Sequence, residues 1–92
     1  MATILNQERT NRIKVLQKQF VVFADKGWMC EGSEYVRNGK WYPGNLIFNN
    51  DTDESFLADY AGNIIFSNVK TESPGSVEKM ATLLAEIRKL CE

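Results

Sequence analysis

The chain has 92 residues, 43% of them hydrophobic and 11% aromatic, which suits one small globular domain over residues 1–92 and is too apolar for a disordered chain. A formal net charge of −1 excludes a protein that lives by neutralising phosphates, because such a chain carries a clear basic excess. The absence of histidine removes the commonest general base and metal ligand, so zinc sites and Ser-His or Cys-His nucleophiles are excluded in their ordinary forms.

Charge is unevenly placed. Residues 1–46 hold seven Lys/Arg against four Asp/Glu, and residues 47–92 hold four against eight. A solvated surface accounts for this asymmetry, and a partner face is the alternative. Two cysteines, Cys30 and Cys91, are fewer than a secreted scaffold of this size normally carries. The longest uninterrupted apolar run, Phe20 to Ala24, is five residues, so neither a targeting segment nor a membrane span is expected. The reading is a cytoplasmic protein with reduced thiols, no metal and no cofactor.

In chain order, Ala2 to Ala24 predicts an amphipathic helix. Leu5, Ile13, Leu16, Phe20 and Phe23 share a stripe, and Gly27 is a natural stop. Ile4, Val15 and Val22 form a thinner apolar row on the opposite side, and the β-branched run "FVVFA" is also compatible with a strand. Asn38-Gly39 between "EYVR" and "KWY" is a strong hairpin signal, since both central positions of a type I′ turn need positive φ. Pro43-Gly44 fits a type II turn, "NLIFNN" a strand, "DTDE" a polar connection, and Ala61-Gly62 a two-residue turn between "SFLADY" and "NIIFSNV". The near-repeat of "YPGNLIFNN" as "YAGNIIFSN" is then two successive hairpins, each with an aromatic at a strand end, a glycine turn and an apolar strand.

Ser76 to Cys91 predicts a second amphipathic helix, capped by Ser73 or Ser76 with Pro74 in its first turn. Val77, Met80, Leu84, Ile87 and Cys91 form its apolar stripe, widened by Leu83 and Leu90, which makes Met80 and Cys91 core residues. The expected fold is α+β: an N-terminal helix, an antiparallel β-meander of about four strands and a C-terminal helix in a two-layer sandwich. The sheet face away from the helices would stay open to solvent or to a partner.

Three groups of residues are candidates for function. Asn49, Asp51, Asp53 and Glu54 are spaced like oxygen ligands of a calcium loop, but the central glycine, distal glutamate and flanking helices are missing, so a polar loop is the better reading. Asp51, Asp53, Glu54 and Asp59 are not flanked by groups that would split their pKa values, so carboxylate catalysis is not expected. Trp28, Tyr35, Arg37, Lys40, Trp41 and Tyr42 combine aromatic and cationic side chains, as protein hot spots and single-strand binding surfaces both do. Strand alternation sends Tyr35 and Arg37 to one face and Val36 to the other, and parts Trp41 from Lys40 and Tyr42. One of these sets therefore belongs to the core.

These features favour a non-enzymatic protein-interaction module that acts by steric binding through those six residues. Small inhibitors or accessory proteins of phage and mobile-element type share the profile, as a viral protein would. Self-association into a homodimer is a second form of the same idea. The alternative is a nucleic-acid or nucleotide binder using the same aromatic and basic surface.

Overall fold

The computed structural model describes the backbone of residues 2–91 and the side chains of residues 6–91. The expectations for Ile4 and Leu5 fall outside the described side chains. The elements are α1 (Ala2–Ala24), β1 (Trp28–Arg37), β2 (Lys40–Asn49), β3 (Ser55–Asp59), β4 (Ile64–Ser67) and α2 (Pro74–Cys91). The strands lie in the order β1-β2-β3-β4, each antiparallel to its neighbour, which is the expected meander.

Both helices cover the same sheet face. Leu16 and Phe23 of α1 and Val77, Met80, Ala81 and Leu83 of α2 form one buried cluster with Trp28, Ile47, Phe56 and Ala58. The register pairs Ile47 with both Cys30 and Phe56, so these strand residues share a face by alternation. The two helices run antiparallel: Lys26, just after α1, pairs with Glu72, just before α2 (3.6 Å), and Arg12 in α1 pairs with Glu86 in α2 (3.3 Å). The segment "FVVFA" is helical throughout. Leu16, Phe20 and Phe23 at helical spacing reach the core together, and that burial outweighs the strand preference of the valines. Val15, Val21 and Val22 remain exposed.

Helix α2 is capped by Ser73, whose Oγ accepts a hydrogen bond from the Ser76 amide at 3.3 Å, with Pro74 in the first helical position. Of its apolar stripe, Val77, Met80 and Leu83 are buried and Leu84, Ile87 and Leu90 are partly buried against the core, whereas Cys91 is exposed. This corrects its place in the core: in its last turn the helix borders an open groove with Cys30 and Asn45, and none of the described residues closes over the thiol.

Two turns differ from expectation. Asn38 and Gly39 take φ values of 53° and 77°, as a type I′ hairpin requires. Pro43 and Gly44, however, lie inside β2 rather than in a turn. A two-residue turn makes Arg37/Lys40 a hydrogen-bonded pair, and by alternation Glu34/Pro43 is a pair without hydrogen bonds. On its other side Pro43 stands one residue beyond the last β2–β3 pair, Gly44↔Asp59, so its missing N–H interrupts no ladder. Gly44 answers to close packing: a Cβ there would stand 2.8 Å from the Ala58 carbonyl oxygen and 3.3 Å from the Tyr35 ring. The β3–β4 connection is longer than two residues, because the Asp59 amide donates to the Asn63 carbonyl across the loop (2.9 Å). The two copies of the near-repeat are thus unlike in structure. The first runs along β2 through its last residue, Asn49, and the second crosses a loop into β4.

The base of the sheet is tied by two side chains. Buried Asn49 accepts from the Asp51 and Thr52 amides through Oδ1 (2.8 and 3.1 Å) and donates through Nδ2 to the Lys26 carbonyl (3.0 Å). The Glu54 carboxylate accepts from the Lys70 and Thr71 amides and from the Thr71 hydroxyl. The first joins the β2–β3 loop to the end of α1, and the second joins it to the segment leading into α2.

At the opposite end the molecule thins. Of β2, strand β3 pairs only with Gly44 to Phe48, which leaves Lys40 to Pro43 held by β1 alone. The radius of gyration, 14.2 Å, exceeds the about 12 Å of a compact chain of this length, consistent with a projecting hairpin end.

Candidate functional site

The six residues predicted to form one surface fall into three places. Trp28 is 1% exposed and packs its indole against Phe56, with ring centroids 6.0 Å apart. It is core, and this corrects its place in the binding cluster. It begins β1 on the helix-covered side, where both α1 and α2 contribute to the same cluster. Its indole N–H has no acceptor among the described residues.

Trp41 is 70% exposed and lies on the same sheet face as Trp28, but beyond the reach of the helices. Its cross-strand neighbour Val36 is 55% exposed, and Glu34 and Pro43 form the next pair, also exposed. Val36 and Pro43 were not singled out from the sequence, although period-two alternation from Trp41 points to both.

Tyr35, Arg37, Lys40 and Tyr42 occupy the opposite face of the same hairpin. Tyr35 and Tyr42 are register partners whose rings stack at 5.6 Å with 24° between planes. The Tyr35 ring also lies over Gly44. Arg37 and Lys40 flank the turn, and neither has a carboxylate partner among the described residues.

Towards the base, this open face becomes apolar. Leu46 pairs with Leu57 and Leu57 with Phe66, and Phe48 pairs with Met29. Phe66 and Met29 are 58% and 50% exposed, and Leu46, Phe48 and Leu57 are half-buried. An antiparallel sheet in water more often turns a polar face outward, so this patch is unusually apolar for an uncovered face. The alternation of Tyr42, Leu46 and Phe48 along β2 carries the signal, which becomes readable only once the helix-covered face is known.

Chemistry at the carboxylates is of a different kind. Glu54 is lowered to about 2, first by the Thr71 hydroxyl and then by the Lys70 amide. For Asp59, burial acts to raise the pKa, but hydrogen bonds from the Asn63 side chain and from the Asn63 and Ala61 amides outweigh it and hold the pKa below the ordinary value. A general acid at neutral pH needs the opposite shift. The calcium-like spacing dissolves as well, because the Asn49 oxygen is turned to loop amides and Glu54 to Lys70 and Thr71. Among the described residues no group of three or more Cys, Asp or Glu could hold a metal ion, and no helix is long and apolar enough to cross a membrane. Cys30 is raised by desolvation; the residue counts as exposed overall, but it borders shallow grooves lined by Leu84 and Ile87.

Comparison with protein-family models, with curated proteins and with solved structures returns no match. The reading of the site therefore rests on its own geometry and chemistry.

Proposed function

We propose that this protein is a non-enzymatic interaction module whose uncovered hairpin end docks against another protein and acts by occluding or bridging it. The observation that carries this reading is Trp41, a large aromatic held 70% exposed on a two-stranded ribbon with Val36 and Pro43 beside it. Tryptophan is enriched among residues that dominate binding energy, and a rigid ribbon loses little entropy on docking. The stacked tyrosines behind Trp41 stiffen that ribbon.

The alternative, single-stranded nucleic acid, draws on the same Tyr35, Tyr42, Arg37 and Lys40. The stacking of the two tyrosines argues against it, since each ring already spends one face on the other rather than on a base.

Affinity capture on the immobilised protein, wild type beside Trp41→Ala, tests the reading. A specific protein retained by the wild type should be lost from the variant, with an affinity loss of roughly thirtyfold for a hot spot worth about 2 kcal/mol. An identical set of bound proteins on both would overturn it. Binding of single-stranded RNA or DNA that weakens steeply with salt would favour the alternative.

A further inference from the structure

We infer that the trough between α1, β1 and the last turns of α2 binds a free medium-chain fatty carboxylate, with its alkyl chain against α1 and its head group beside Arg88 and Asn45. Two grooves make up this trough, of about 280 Å³ and about 240 Å³, and they share Cys30, Leu84 and Ile87 as a common wall. A trough of this size takes a single alkyl chain and not a helix, whose diameter is about 10–12 Å. Its two ends differ in chemistry. The first groove continues onto α1, where Phe20, Val21 and Ala24 line it at helical spacing and Gln17 is the one polar residue. From Gln17 to Ala24 the helix rises about 10 Å, which gives a chain of medium length something to lie along. The second groove continues to Asn45, Arg88 and Cys91.

The polar end carries what a carboxylate needs. Asn45 is 8% exposed, and its carboxamide has no hydrogen-bond partner among the described residues, whereas buried amides are ordinarily bonded. Its register partner Gly32 adds no side chain beside it, and a Cβ there would meet nothing within 4 Å, so β1 does not cover the amide. Arg88 is held in place by Tyr60, whose ring centroid lies 3.5 Å from the guanidinium carbon, and it has no carboxylate partner among the described residues. No Asp or Glu among the described residues lines either groove, so Arg88 is the one charged side chain there. The partial negative charge at the C-terminal end of α2 is about half as large and opposes it only in part. An alkane would leave Asn45 unbonded, and a cationic amphiphile would be repelled by Arg88. A carboxylate accepts from both. Trp41 does not line the trough, so this inference does not rest on the proposed docking of a protein.

Titration calorimetry with octanoate, joined to the rate at which a maleimide alkylates Cys30, provides the test. Peptide mass spectrometry separates Cys30 from Cys91. Octanoate should bind saturably at one site and slow Cys30 alkylation severalfold, because that residue belongs to the wall common to both grooves. Octan-1-ol, the same chain without the charge, should bind about tenfold more weakly. Arg88→Gln should weaken octanoate about tenfold or more, the range for losing a hydrogen bond to a charged group. Val21→Asp should weaken it as well, by setting a charge against the alkyl chain. Both residues are exposed, so the circular dichroism of these variants should match that of the wild type. Trp41→Ala should bind octanoate like the wild type. Absence of saturable binding, octan-1-ol bound as tightly as octanoate, Cys30 alkylation unchanged at saturating octanoate, or folded Arg88→Gln and Val21→Asp variants that bind like wild type would each overturn the inference.

Discussion

Trp28 and Trp41 project from the same face of the same pair of strands, yet one is sealed and the other is among the most exposed large side chains described. At the base, α1 and α2 both pack over the sheet, and Trp28 joins Phe23, Ile47, Phe56 and Met80. At the tip no third strand pairs with Lys40 to Pro43 among the described residues, and Trp41 meets solvent. Alternation along a strand decides which face a residue takes, and the covering layer decides whether that face is interior. The two tryptophans separate these effects within one molecule, and substitution at each end measures how far they differ.

The largest effect is expected at the base. Trp28→Ala should destabilise the fold by about 3–5 kcal/mol in urea unfolding, the range for truncating a large buried aromatic. Trp28→Phe sharpens the point. It removes volume but also the indole N–H that has no acceptor among the described residues, and a buried unsatisfied donor costs about 1–3 kcal/mol. The phenylalanine variant should therefore lose much less than the alanine variant. Equal losses would mean that the N–H is satisfied after all and that the base is less tightly packed than described.

An intermediate effect is expected from the Glu54 latch, and it depends on pH. Glu54 falls from an ordinary 4.5 to about 2 in the fold, so the folded state favours its ionised form. Its contribution is fully present above about pH 4.5 and is lost as pH falls towards 2. Glu54→Gln should lower the melting temperature at neutral pH and flatten its decline across that window. Asp59 is shifted in the same direction, so some slope should persist. Parallel melting curves for variant and wild type from pH 2 to 7 would show that Glu54 does not hold the segment before α2.

Much of this architecture was legible from residue order, for identifiable reasons. The stripe of α2 repeats at helical spacing over several turns, and Asn38-Gly39 is a pair that few other backbone shapes accept. Pro43-Gly44 was misread because proline and glycine also fit a strand where no N–H is needed and a neighbour comes close. Cys91 continued the stripe on paper, but the core does not extend to the last helical turn. Trp28 could not be told from Trp41 by neighbours in sequence, since both stand beside turns and aromatic or charged residues. The apolar patch of Leu46, Leu57 and Phe66 was hidden for a related reason. Their strands read as apolar on both sides, and only the placement of the helices tells which side is uncovered.

The smallest effect on stability should come from Trp41→Ala. A side chain on a ribbon end without helix cover loses little burial on truncation, and substitutions at such positions usually fall within about 0.5 kcal/mol. The same change should abolish capture of a docked protein. On the proposed function, stability and binding should move in opposite order at the two tryptophans, with Trp28→Ala weakening the fold and Trp41→Ala weakening recognition. A loss of stability at Trp41 approaching that at Trp28 would mean that the hairpin end is covered in solution by something that also contacts its helix-side face.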